Sequence, residues 1–221
     1  MRIDYVIDFN CPYSYIGLER IKKAAENLNL DIQWEIRPFE LEPLAGKRPT
    51  ISTTERYAEK YEVTLDEASS KIDEIEQIAL DDGLKINYRD MLLTRSNDAL
   101  RLAKFAQNMH PDITLKLVEE IFHSNLVENE NIADIKVLTR IAVSCGIEED
   151  QAKKILENNY YNIEIYLDKE EALTHGITAT PCFIVYLNEE RLIIPGAFST
   201  EEFEIALKDL ATGNLAGKTF V

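Results

Sequence analysis

Cysteine is scarce in this chain: there are three in 221 residues, an odd number with no close pair. That excludes the disulfide framework of a small secreted domain and makes the cytoplasm the expected location. Basic residues are outnumbered, 24 against 40 acidic ones, and the formal charge of −16 repels polyanions, so nucleic acid is not an expected partner. With 8 glycines and 7 prolines, long linkers and low-complexity tails are not expected either. No apolar run reaches the roughly 18 residues that suggest a membrane span, and no membrane partner is expected. The opening "MRIDYVIDFN" sets acids inside a short apolar stretch, without a small-residue cleavage site, and reads as a strand of mature protein rather than a signal peptide. His110, His123 and His175 are scattered with no metal-ligand spacing, read as surface residues, and leave no metal site to expect.

What is present describes an ordinary globular chain, 45% hydrophobic and 29% charged, long enough for one large domain or a domain carrying an insertion. Residues 2–9 alternate Ile3, Tyr5, Ile7 and Phe9 with Arg2, Asp4, Val6 and Asp8, the period of a strand. Pro12 follows, suited to a first helical turn because it has no N–H to leave unpaired. Ile16, Ile21, Ala24, Ala25 and Leu28 then carry a helical stripe to about residue 29, and "DIQWEIRPFEL" reads as a second strand closing near Pro38. At the far end, "CFIVYL" and "RLIIPG" are strands joined by the polar "NEE", hence an antiparallel hairpin. The following helix opens with a capping box, Ser199 with Glu202. Residues 53–175 show no strand period. Helices are expected after the Thr64/Glu67 capping box, from Ser96 or Asn97, through Leu117–Phe122, over 135–145 before Gly146, and over 161–175 before Gly176. The chain thus reads as α/β, βαβ then ββα, with a large all-helical insertion. The expected division is 1–52 with 176–221 against 53–175.

The chemistry concentrates in "CPYS", residues 11–14. Cys11 sits where a strand turns into a helix, and the partial positive charge of a helix N-terminus predicts a thiol pKa below the usual value. Ser14 stands where a second cysteine would close a disulfide; it can donate a hydrogen bond to a thiolate but cannot resolve a mixed disulfide. Cys145 lies on its helix's apolar stripe and reads as packing. Cys182 follows Pro181, and strand alternation points it opposite to the proline ring, as a buried strand cysteine turned into the core. A resolving role for Cys182 is the alternative.

Together "CPYSYIG", "RPFELEP", "ALTHGITATPCFIV" and "IPGAFSTEEFEIAL" resemble the DsbA family of thioredoxin-fold proteins, specifically its FrnE-like branch, over essentially the whole chain. The resemblance implies a thioredoxin fold, with Cys11 as nucleophile and Ser14 as its partner. It also implies a cis Pro181 lying against the active-site cysteine, so that Ala179 and Thr180 join Pro12 and Tyr13 in docking substrate. Arg95 falls before a helix that faces the site in that branch, which counts it among the substrate-binding residues, with partnership to the Cys11 thiolate as a further reading. Leu100 departs from it, standing where those proteins often have histidine. The "DFxxPYSY" pattern is also similar to kappa-class glutathione transferases and 2-hydroxychromene-2-carboxylate isomerases, which carry serine at the position of Cys11. The function implied is a cytoplasmic monothiol thiol–disulfide oxidoreductase, reducing or isomerising protein or small-molecule disulfides. No cofactor is tightly bound on this reading; glutathione or another low-molecular-weight thiol recycles Cys11, and the chain is a monomer or homodimer. Two rivals remain, a glutathione-dependent transferase or isomerase and a thioredoxin-like peptide-binding adaptor.

Overall fold

The computed structural model describes residues 1–214; the last seven positions of the expected 176–221 segment lie outside it. β1 (Arg2–Ile7) runs into α1 (Pro12–Asn27), and the chain returns as β2 (Gln33–Pro38), parallel to β1 with Arg2 opposite Gln33. β3 (Cys182–Leu187) and β4 (Glu190–Pro195) form an antiparallel hairpin, followed by α9 (Thr200–Ala211). β3 pairs antiparallel with β1, giving the four-stranded order β2-β1-β3-β4 among the described residues. Between β2 and β3 lie α2 (Thr53–Tyr61), α3 (Leu65–Asp81), α4 (Asn97–Met109), α5 (Thr114–Leu126), α6 (Ile135–Ser144), α7 (Glu149–Leu156) and α8 (Asn162–Thr174). This is the βαβ–ββα order with helices inserted.

Periodicity alone did not separate α2 or α7. The first buries only Thr53 and Ala58, so it has no apolar stripe, and its start is fixed by a Ser52/Glu55 capping box. The second has eight residues, two turns, too few to establish a period. The alternation in β1 also needs correcting, because both of its faces are covered. Ile3, Tyr5 and Ile7 face α1 and α9, while Val6 packs with Cys182 and Ile184 on the other face. There the nominally outward Asp4 is buried and paired with Arg37 (2.9 Å). Arg37 continues to Asp168 of α8 (2.9 Å), and Asp168 to Lys104 of α4 (2.7 Å). Buried charges persist when each is paired, so this chain of ions fastens the sheet to the helices over it. A single apolar cluster also runs from Tyr5 and Ile16 through Phe122 to Leu138 and Leu156, joining sheet and insertion.

α1 lies close to the start of β3 because residue 17 is glycine. A Cβ there would stand 3.2 Å from Phe183 Cζ and from Pro181 Cγ, and 3.3 Å from Ala197 Cβ. Gly17→Val should therefore push α1 away from the Pro181 loop. Overpacking of this kind costs about 1–3 kcal/mol. Urea denaturation should show the midpoint falling with the slope unchanged; an unaltered midpoint would refute this packing.

Candidate active site

The turn between β1 and α1 is tied down residue by residue. Asp8 is fully buried; its carboxylate accepts from the N–H of Asn10 (3.1 Å) and of Leu41 (2.7 Å), and its own carbonyl accepts from Cys11 N–H (3.1 Å). Asn10 donates to the Thr94 carbonyl (2.8 Å), and the buried Asn125 of α5 donates to Phe9 O (2.9 Å) and Asn10 Oδ1 (3.2 Å). Burial raises the Asp8 pKa, while the amides of Leu41 and Asn10 and the Ser96 hydroxyl favour its charged form. Nothing in the period-two pattern marked Asp8. Its signal was an acid on a strand otherwise fit for a core.

Cys11 is the N-cap residue of α1, with extended backbone, and Pro12 takes the first helical position. The Cys11 thiol donates to the carbonyl of Thr180 (3.3 Å), whose peptide bond to Pro181 is cis. The Pro181 carbonyl accepts from Gly196 N–H (2.8 Å), which fixes this loop to the end of β4. Ser14 lies one turn into α1, fully buried; Tyr5 from β1 donates to its carbonyl. Cys11, Pro12, Ser14, Thr180 and Pro181 are thus gathered as the motifs implied, with Tyr13 exposed beside them and Ala179 exposed at the loop surface.

The expected lowering of the Cys11 pKa is not what the surroundings favour. Cys11 is only 8% exposed, and burial, which disfavours a thiolate, drives its pKa up. The Thr180 carbonyl accepts a hydrogen bond from the neutral thiol and so also favours the protonated form. The hydroxyls of Thr180 and Ser14 and the amide of Ser14 pull the other way, and the nearby Asp8 carboxylate adds to the rise. The position at the helix start is as expected. Desolvation wins.

Cys182, by contrast, sits in the apolar cluster of Val6, Phe39, Ala172, Ile177 and Ile184, on the sheet face opposite α1. Burial alone pushes its thiol up to about 11. All three cysteines are free. Arg95 reaches Glu40 (3.6 Å) instead of the thiol, and its N–H donates to Gly46 O (2.9 Å). Of the histidines, His110 is half-buried against Phe105 and bonds Gln151 (3.2 Å), whereas His123 and His175 are exposed.

Sequence reasoning missed a group of tyrosines beside the thiol. Tyr57 and Tyr61, one turn apart on α2, have ring centroids 4.4 Å apart, and Tyr88 lies with them along a crevice of about 50 Å³ that Asn10 also lines. Burial, then the nearby Cys11, raises the Tyr88 pKa. Burial, then Tyr57 and Cys11, raises that of Tyr13. The i, i+4 spacing of Tyr57 and Tyr61 was the available signal.

Comparison with known proteins agrees with this geometry. Residues 2–208 match the model of the DSBA-like thioredoxin domain. The chain belongs to the DsbA-like thioredoxin family. It is 25% identical over 213 residues to YwbO of Bacillus subtilis, covering 91% of this chain and 93% of that one. Among solved structures it is similar to a probable DsbA oxidoreductase from Streptomyces coelicolor (TM-score 0.85, 24% identity, 100% of this chain and 94% of that one). It also superposes on the cytosolic disulfide reductase DsbM from Pseudomonas aeruginosa with glutathione (TM-score 0.66, 14% identity, 96% and 100% covered). Among the described residues, no helix is long and apolar enough to cross a membrane.

If burial governs Cys11, its alkylation by iodoacetamide should keep rising with pH beyond the midpoint of a free thiol, about 8.5. Thr180→Val, which removes a hydroxyl that favours the thiolate, should move the midpoint higher still. A wild-type midpoint below that of a free thiol would contradict the assignment.

Proposed function

We propose that this DsbA-like protein is a cytoplasmic monothiol oxidoreductase that reduces or isomerises disulfides through a mixed disulfide on Cys11. The observation that carries the reading is the separation of the thiols. Cys11 opens α1 with Ser14 at the fourth position of the motif, where a second cysteine would stand, and Cys182 faces the other side of the sheet. Within such a site, the ionised Cys11 sulfur attacks one sulfur of a substrate disulfide; a Cys11–substrate disulfide forms and the other sulfur leaves as a thiol, taking up a proton. An external thiol such as glutathione then attacks that bond and carries the substrate sulfur away in a new disulfide, returning Cys11 to the thiolate. When the attacking thiol belongs to the same substrate, the outcome is isomerisation.

The raised thiol pKa supports the reducing direction. A cysteine whose thiolate is strongly stabilised favours its reduced form and oxidises others; Cys11 lacks that stabilisation and, once ionised, is the stronger nucleophile. On this reading Ser14 and Thr180 hold the thiolate by their hydroxyls, and Pro12, Tyr13, Ala179 and Pro181 form the docking surface. Arg95 follows Thr94, whose carbonyl is bound by Asn10, and takes a place at the margin of that surface. Residues 1–52 and 176–221 form the catalytic unit, and 53–175 is the helical cover. The DsbM neighbour's structure with glutathione supports a small thiol as the recycling partner.

Turnover of a glutathionylated peptide with excess reduced glutathione tests this directly. The wild type should accelerate thiol release, Cys11→Ser should fall to the uncatalysed rate, and Cys182→Ser should leave the rate unchanged. Turnover that survives Cys11→Ser would exclude the proposal.

A further inference from the structure

Away from Cys11, the structure holds a cleft of about 880 Å³ bounded by α6, α7 and the loop after β2. Ligand pockets typically span about 300–1,000 Å³. None of the residues gathered at Cys11 lines it. Its walls oppose the character of the whole chain. Against a formal charge of −16, five of the 24 basic residues line this one cleft: Lys47, Arg48, Lys136, Arg140 and Lys153. Three of them are spoken for. Lys47 pairs with Asp98 (3.1 Å), Arg140 with Glu130, and Lys153 with Glu149 (2.5 Å). Arg48 and Lys136 have no carboxylate within ion-pair distance among the described residues, and both are exposed.

Three acids share the wall: Glu149 is paired with Lys153, Asp134 caps α6 by accepting from the Lys136 N–H (2.8 Å), and Glu157 is the third, none of them within ion-pair distance of the Arg48 or Lys136 side chain. Ala133, half-buried Ile135 and Val143, which is 46% exposed, give the wall an apolar part, beside the polar Asn131. Thr139, a residue 7% exposed, joins the wall, and its buried hydroxyl has no hydrogen-bond partner among the described residues. A buried polar group left unpaired costs stability, so a site that retains one keeps a hydrogen bond in reserve.

We propose that this cleft binds a small organic anion with an apolar body. The carboxylate, sulfonate or phosphate head is held by Arg48 and Lys136, and the body lies on Ile135 and Val143. Charge-assisted bonds to a guanidinium and an ammonium supply orientation, and the apolar wall supplies contact area. The site is independent of the redox reading, since no cysteine lines it.

The probe is 8-anilinonaphthalene-1-sulfonate, which joins a sulfonate to fused rings, titrated by fluorescence into the full chain. Saturable binding at one site is expected. Arg48→Glu with Lys136→Glu should weaken it by about tenfold or more, which corresponds to about 1.4 kcal/mol. Arg48→Lys with Lys136→Arg should keep it, which separates lost charge from lost folding. Leu167→Glu, on the exposed apolar side of α8, should also leave binding intact. The proposal is overturned if the double Glu variant binds as tightly as wild type, if the conservative pair loses binding, or if Leu167→Glu abolishes it. It is equally overturned if uncharged N-phenyl-1-naphthylamine binds as well as the sulfonate.

Discussion

The contact between the Cys11 thiol and the Thr180 carbonyl joins positions 169 residues apart, and much of the architecture serves to bring them together. Two anchors make it possible. On one side, Asp8, Asn10 and Asn125 hold the β1–α1 turn by bonds reaching the loop after β2, the segment before α4, and α5. On the other, β3 pairs with β1, so the residues just before β3 arrive beside the turn that follows β1. Gly17 then removes the side chain that would hold α1 and the Pro181 loop apart. The inserted helices are therefore part of the site's support, since α5 supplies Asn125 and the segment before α4 supplies the Thr94 carbonyl.

That enclosure also sets the chemistry. Helix N-termini favour anions, and on that ground alone Cys11 should ionise readily. Yet the same turn is sunk between the Thr180 loop, Tyr5 and Ser14, and its thiol is taken out of water. A helix end contributes a fraction of a charge, whereas removing a thiolate from water carries the larger penalty, so packing dominates. The result is a cysteine suited to attack once ionised and less suited to act as a leaving group.

Much of this architecture was legible beforehand because it rests on local rules. The Thr64/Glu67 and Ser199/Glu202 boxes start helices as read, and the "NEE" turn joins two antiparallel strands. Cys182 also lies on the face that alternation assigned it, because strand geometry leaves two choices and Pro181 selects one. What escaped the sequence depends on distant partners. Asp4 and Asp8 look like solvent-facing positions of an amphipathic strand, and only the helices packed over β1 reveal that both are buried. Tyr88 meets Tyr57 and Tyr61 across a loop whose path no local pattern records. The Cys11 environment is of the same kind: its helix position could be read, but its loss of solvent could not.

The central claim is that Cys11 acts without a second thiol from its own chain. Mild oxidation in the presence of reduced glutathione, followed by mass analysis of proteolytic peptides, tests it most directly. The account predicts a glutathione adduct on the peptide containing "NCPYSY", with Cys182 recovered as the free thiol. A crosslinked pair of "NCPYSY" and "TPCFIV" peptides in good yield would contradict it.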